Sequence, residues 1–169
     1  MHAHFRMMSG YNAWANQRLY AAAAEMPEED YRREYGAFFG SVHRTLNHLL
    51  GADRIWMKRF TGTGEAPDRL DAVLHDTLPA LAEARRAEDA RIIAYVESLD
   101  DAALAGRFRY RTISRPTEIE QPLAPALTHF FNHQTHHRGQ VHCLMTQLVG
   151  KAPELDLIFF QRETGVGLR

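Results

Sequence analysis

The residues best suited to chemistry lie in the segment Asn132–Gln140, which contains His133 and His137. Apolar residues around this segment recur at helical spacing, and four residues make about one helical turn. Both imidazoles therefore project from one face of the helix, roughly 6 Å apart along its axis. Two imidazole nitrogens at that spacing can bind one metal ion, each at roughly 2.0–2.1 Å. The pair indicates part of a metal site.

A third nitrogen could come from His48, far upstream in another predicted helix. Its neighbours on the same helical strip are mostly small: Ser41, Thr45, Ala52 and Ile55. Small neighbours inside a helical bundle leave room for an ion, a water molecule or a ligand. On the later helix, His129 and His137 are about 12 Å apart along the axis and cannot share one ion. A site built on His129 and His133 stays open as an alternative.

Other polar residues are expected to lie away from the site: His43 at the surface, Asn47 in a cap or at the surface, and the charged residues between Ala84 and Ala90 on a solvated face. Arg138 is expected to be solvated, with contact to a dimer partner or to a substrate carboxylate as the alternative. Gln140, three residues past His137 on the same side, is a candidate hydrogen-bond partner for its ring. Cys143 lies about 120° round the helix from His137. It is expected to be buried as a packing residue.

The composition excludes several classes of function. The 169 residues carry a net charge of −1, so no basic excess is available to bind a nucleic-acid backbone. No run approaches the roughly 20 apolar residues that span a membrane, and the N-terminus has no signal-peptide pattern. The single cysteine cannot form an intramolecular disulfide, which fits a reducing compartment. A cytoplasmic protein that binds neither nucleic acid nor membrane is expected.

Helical periodicity predicts four long helices, at about Phe5–Glu25, Ser41–Phe60, Thr77–Leu99 and Leu123–Val149. A short terminal helix is predicted at Asp156–Arg162. The alternating segments Arg107–Thr112 and Thr117–Glu120 predict a β-hairpin with a turn at Ser114–Pro116. The pattern favours an all-α fold over residues 1–169, a single-domain four-helix bundle with the hairpin inserted before the fourth helix. The hairpin must pack on the helices or on another subunit, as a pocket rim or a dimer contact.

Four segments, in this order and spacing, resemble the DinB/YfiT-like family of metal-dependent enzymes: Tyr11–Leu19, Leu46–Trp56, Asn132–Gln140 and Pro153–Ile158. The resemblance covers nearly the whole chain. It implies an up-down-down-up bundle that forms homodimers. It also implies a three-histidine metal site, which corresponds to His48, His133 and His137.

Three neutral imidazoles leave at least one coordination position open, which is typical of catalytic metal sites. Zn²⁺ is the first expectation, and Ni²⁺, Fe²⁺ and Co²⁺ accept the same ligands. Because the family includes thiol-dependent S-transferases and a thiol-dependent isomerase, the resemblance implies a transferase. Such an enzyme would use a low-molecular-weight thiol and an electrophilic small-molecule substrate.

Two other functions remain open from the sequence. A metal-dependent hydrolase needs an acid or base near the ion, and Asp53, about one turn past His48, is the candidate. Position 134 is glutamine, so the His-Glu-x-x-His motif of zinc proteases is missing. A non-catalytic module that binds a metal or a small ligand is the third possibility.

Overall fold

The computed structural model describes residues 1–113 and 116–168, which form seven helices and one two-stranded sheet. The long helices are α1 (His2–Ala24), α3 (Val42–Thr61), α4 (Leu78–Ser98) and α6 (Leu123–Val149). The short helices are α2 (Glu28–Arg32), α5 (Asp101–Ala105) and α7 (Leu157–Thr164). The strands are β1 (Arg107–Arg111) and β2 (Glu118–Pro122). The mostly helical fold with a small hairpin confirms the prediction.

Local signals explain where the helices that carry the histidines begin and end. At the start of α3, the Ser41 hydroxyl accepts a hydrogen bond from the backbone N–H of Arg44 at 3.2 Å. Gly62 ends α3 and Gly150 ends α6, each in the left-handed conformation at φ 72°. A side chain would be strained there, so glycine favours both ends.

Contacts between pairs of residues define the relative directions of the long helices. The pairs are Phe5–Phe131 and Asn12–Arg138 for α1 and α6, Arg6–Glu97 and Asn16–Asp89 for α1 and α4, and Asp53–Arg85 and Thr61–Arg91 for α3 and α4. For α1 with α6 and for α3 with α4, the residue numbers of both helices increase together, so each of these pairs is parallel. For α1 with α4 the numbers change in opposite directions, so this pair is antiparallel. The bundle therefore runs up, down, down, up, as expected.

A polar layer crosses the middle of the bundle and separates two apolar clusters. One cluster surrounds Leu46 and the other surrounds Phe130. All four long helices contribute buried side chains to the layer: Asn12, Asn16, Asp53, Arg85, Asp89, Gln134 and Arg138. Buried charges are tolerated in a core when they are paired or hydrogen-bonded. In this layer Arg85 pairs with Asp53 and Asp89, and Arg138 donates to Asn12.

Arg85 is the centre of the polar layer. Its Nη1 donates to Asp53 at 2.6 Å, and its Nη2 lies 3.0 Å from Asp89. Gln134 donates to the other oxygen of Asp53, and Asn16 donates to Asp89 at 2.9 Å. Arg85 is 2% exposed, so the expectation that the charged residues of 84–90 are all solvated is wrong. The layer supplies partners that the sequence of α4 alone does not reveal.

The strands β1 and β2 pair antiparallel, with Arg109 opposite Glu120. Arg107 and Arg109 both bind the Glu120 carboxylate, at 3.0 and 2.6 Å. Within the predicted turn, positions 114 and 115 lie outside the described residues. None of the helices in the described ranges combines the length and the apolar composition that a membrane span requires.

Candidate metal centre

The three histidines expected from the sequence meet between α3 and α6. His48 Nε2 lies 3.4 Å from His133 Nε2 and 3.3 Å from His137 Nε2. One nitrogen from each ring lies within 4.8 Å of the other two. The meeting follows from the fold, since α3 and α6 are antiparallel neighbours and His133 and His137 are one turn apart.

Two of the rings are held in a defined tautomer by acceptors on the protein. His48 Nδ1 donates to the carbonyl oxygen of Leu70 at 2.7 Å, and His137 Nδ1 donates to Gln140 Oε1 at 2.8 Å. A carbonyl oxygen can only accept, so the proton of each neutral ring is on Nδ1. Each Nε2 therefore presents a lone pair toward the common centre. Such outer hydrogen bonds orient histidines that bind metals.

This donor set fits a divalent transition-metal ion. The facing nitrogens of His48 and His137 are both acceptors at 3.3 Å, so neither can satisfy the other in the neutral state. Polar atoms enclosed in this way need a partner, and a cation shared by three imidazoles provides one. Three nitrogen ligands suit Zn²⁺, Ni²⁺, Fe²⁺ and Co²⁺ better than Mg²⁺ or Ca²⁺, which prefer oxygen.

Burial keeps these histidines in the neutral form that binds metals. Burial, with the nearby His137, lowers the pKa of His48 from 6.5 to about 4. Burial and the other histidines lower the pKa of His133 to about 3, and burial lowers the pKa of His137 as well. At neutral pH, protons therefore compete weakly for the three nitrogens.

In the metal-free protein, we expect the free energy of unfolding to fall as the pH drops from 6.5 to about 4. Unfolded His48 takes up a proton near 6.5, whereas folded His48 does so near 4, so acid favours the unfolded chain. At about 1.4 kcal/mol per pH unit, His48 alone accounts for a loss on the order of 3 kcal/mol. Urea denaturation in the presence of a chelator, over a pH series, measures this slope.

The matched variant for this measurement is His48→Gln, which lacks the titrating ring. Its free energy of unfolding should depend less steeply on pH over the same range, because His133 still contributes. Equal slopes for the two proteins would show that the burial of His48 has no effect on its protonation.

Phe39 covers one side of the cluster. Its ring stacks on His48 with a centroid separation of 3.8 Å and an interplanar angle of 19°, and its centroid lies 5.5 Å from that of His137. It comes from the connection between α2 and α3, where no helical or strand period links it to the histidines. Sequence reasoning missed this residue. Its ring excludes water from His48 and contributes to the low pKa.

A cavity of about 590 Å³ opens beside the cluster. It is lined by helix, connection and hairpin residues: His48, Ala52, Ile55, Trp56, Arg59, Leu70, Tyr110, Thr112, Ile113, Thr117, Ile119, His129 and His133. Tyr110 and Ile119 are half-buried positions of the alternating strands. The inner face of the hairpin therefore forms a wall of the cavity, which assigns it the role of pocket rim.

A profile of the DinB family matches residues 1–166, nearly the whole chain. The chain belongs to the DinB family. It is also similar to Protein DinB of Bacillus subtilis (strain 168), with 27% identity over 152 residues that cover 81% of each protein. Both results agree with the resemblance of the sequence segments, and the DinB match includes all three clustered histidines.

Two other candidates lie apart from the histidine cluster of this DinB-family protein. His129 lines the cavity, but its ring centroid is 5.9 Å from that of His133, and it is not among the converging nitrogens found in the described residues. The carboxylate of Asp53 is 1% exposed, is bound by Arg85 and Gln134, and is not part of the cavity lining. Asp53 thus belongs to the polar layer.

Three neighbouring residues occupy places that the sequence did not indicate. His43 and Asn47, expected at the surface or in caps, are buried, because the connection 62–77 covers their face of α3. Asn47 Oδ1 accepts from the backbone N–H groups of Leu74 and His75 at 2.8 and 3.0 Å. Cys143, expected to be buried, is exposed.

Arg138 was expected to be solvated, and this expectation is wrong. The side chain is 2% exposed, donates to Asn12 and lies over the ring of Tyr11 at 5.2 Å. It ties α6 to α1 on the side of the helix away from the cavity. The buried Arg138 therefore helps to position α6, the helix that carries His133 and His137, against α1.

Proposed function

We propose that this DinB-family protein binds one divalent transition-metal ion through His48, His133 and His137 and is a thiol S-transferase. Zn²⁺ is the first candidate for the ion. The observation that carries the proposal is the convergence of three imidazole nitrogens, two with defined tautomers, at the wall of a cavity large enough for a small molecule.

In the proposed reaction the S–H bond of the thiol breaks and its sulfur forms a bond to an electrophilic carbon of the substrate. The bond from that carbon to a leaving group, chloride in an alkyl chloride, breaks at the same time, and the leaving group departs with the electron pair. When bound, the ion would keep a small thiol in its thiolate form at neutral pH. His48 and His133 both line the cavity, so substrates would approach them from that side. The apolar side chains of Ala52, Ile55 and Ile119 would hold the electrophilic substrate beside them, and His129 would accept the proton released by the thiol.

The cavity lining gives no support to a hydrolase that uses a carboxylate as its general base. Within residues 1–113 and 116–168, no aspartate or glutamate lines the cavity, so a water molecule there would have no carboxylate as a general base. Asp53, the candidate considered for that role, is bonded within the polar layer. Cys143 is exposed and does not line the cavity, so the proposed thiol is a separate small molecule.

The test supplies zinc-loaded protein with a panel of low-molecular-weight thiols and monochlorobimane as the electrophile. We expect at least one thiol to be conjugated faster than in buffer, because the site would raise the thiolate fraction of the bound thiol. Fluorescence of the product gives the rate. The Cys143→Ser variant should be as active as the natural protein.

The control variant is His48→Ala, loaded and assayed in the same way. If no thiol reacts faster with the natural protein than in buffer, the transferase proposal is wrong. A variant as active as the natural protein would locate the reaction away from the three histidines.

The cellular and oligomeric setting is also part of the proposal. The near-neutral charge and single cysteine support a cytoplasmic protein without a nucleic-acid partner. We also predict that the chain is a single domain and forms a homodimer, because it resembles the DinB family.

A further inference from the structure

Arg59 is the cationic side chain among the described residues that line the cavity. Its guanidinium carbon lies 4.6 Å from the ring centroid of Trp56 and 4.6 Å from that of Tyr110. The two rings belong to α3 and β1, so the guanidinium is held between a helix and the hairpin. Attraction to the two rings holds the guanidinium in place, and its N–H groups can still donate hydrogen bonds.

No carboxylate in the described ranges lies within ion-pair distance, 4.0 Å, of Arg59. Two other half-buried arginines of the same region do have an acidic partner, since Arg54 and Arg91 both pair with Glu88. The Arg59 side chain is half-buried, and burial lowers its pKa from the ordinary value. An arginine still keeps its charge, and a partly desolvated charge without a counter-charge is unfavourable. An anion entering the cavity would relieve that cost.

The position of Arg59 on α3 relates it to the histidine cluster. His48, Ala52, Ile55 and Arg59 follow the spacing of a single helical face and all line the cavity. Eleven residues separate His48 from Arg59, roughly 16 Å along the helix axis. The cavity thus has imidazole nitrogens at one end, apolar side chains in the middle and a cation at the other end.

We propose that Arg59 binds the carboxylate of an elongated small molecule whose opposite end reaches His48 and His133. The second half of this statement rests on the proposed function, since it assigns a substrate class to the same cavity. A guanidinium presents two parallel N–H groups that match the two oxygens of a carboxylate. The apolar middle of the cavity favours a hydrocarbon chain between the two ends.

The test of the carboxylate site uses chelator-treated protein, so that it does not depend on a metal. Octanoate and octanol are titrated into the protein by calorimetry at constant ionic strength. We expect octanoate to bind more tightly than octanol. The Arg59→Gln variant should bind octanoate roughly ten- to a hundredfold more weakly, with octanol unchanged.

Lys58→Gln is the matched control, because it removes one positive charge from the adjacent, exposed position on α3. It should leave octanoate binding unchanged. Arg59→Lys, which keeps the charge but lacks the planar fork, should recover part of the affinity and shows that position 59 tolerates substitution. The carboxylate site is wrong if octanoate does not bind, if it binds no better than octanol, or if both glutamine variants weaken it equally.

A second titration separates this proposal from the proposed function. In zinc-loaded protein, 8-mercaptooctanoate should bind more tightly than octanoate, and His48→Ala should remove the difference while Arg59→Gln weakens both ligands. If octanoate binding depends on Arg59 but the thiol adds nothing, the carboxylate site stands and the metal-thiolate chemistry fails.

Discussion

Replacing His48 with alanine is expected to remove the bound metal from the protein. Natural protein prepared without chelator should contain about one divalent ion per chain, as expected for one site with three imidazole ligands. The variant keeps only His133 and His137. Its affinity for the metal should fall by more than the roughly 10–100-fold that follows when a histidine ligand loses only its hydrogen-bond partner. Elemental analysis and zinc titration of chelator-stripped protein measure both quantities.

The control for this variant is His136→Ala. His136 is exposed, lies next to His137 on α6 and is outside the converging set in the described residues. Its removal should leave the metal content at that of the natural protein. Zinc should also raise the unfolding temperature of the natural protein and of His136→Ala, but not of His48→Ala, because a ligand that binds only the folded state stabilises it. A natural protein that neither contains nor binds a metal would overturn the metal-centre proposal.

Replacing Arg85 with methionine is expected to have the largest effect on folding, with a loss of about 3–5 kcal/mol in the free energy of unfolding. The substitution leaves Asp53 and Asp89 without the buried cation that binds both. The remaining hydrogen bonds, from Gln134 to Asp53 and from Asn12 and Asn16 to Asp89, cannot neutralise charge in the core. Urea denaturation of the natural and variant proteins measures the change.

The loss should depend on pH in a defined direction. Burial already raises the pKa of Asp53 to about 7 in spite of Arg85, and removal of Arg85 raises it further. A raised folded-state pKa means that the folded chain takes up a proton more readily than the unfolded chain, so the variant should be most destabilised above pH 7 and recover as the pH falls. The control Arg69→Met breaks an exposed ion pair with Asp71 and should leave stability unchanged. Equal effects of the two substitutions would contradict a structural role for the polar layer.

The four long helices and the histidine pair could be predicted because both follow the helical period. Helix α6 was predicted at Leu123–Val149 and has those bounds, since Pro122 precedes it and Gly150 ends it. His133 and His137 are neighbours in any α-helix. His48 required more information, because the neighbouring helix pair that brings it to them depends on the topology. That topology came from the family resemblance.

Gln140 could be predicted as the partner of His137 because both lie on α6. The partners of His48 could not be predicted, because they come from segments without a period. Phe39 and the carbonyl of Leu70 reach His48 from two irregular connections. Arg85 and Arg138 looked solvated because their partners lie on other helices, and the composition of one helix does not show them. Helices α2 and α5 span about one turn each, too short for a repeating apolar pattern.

The parallel direction of α3 and α4 has an evolutionary consequence. After α3 ends, the chain must return along the bundle before α4 can begin, and residues 62–77 make this return beside His48. The chain leaves the bundle a second time in the hairpin. Both the 62–77 connection and the hairpin contribute residues to the walls of the cavity. Mutations and length changes in these two segments can alter which molecules fit, while the helix packing and the three imidazoles stay in place. One scaffold can diversify in this way among related proteins without rebuilding its core.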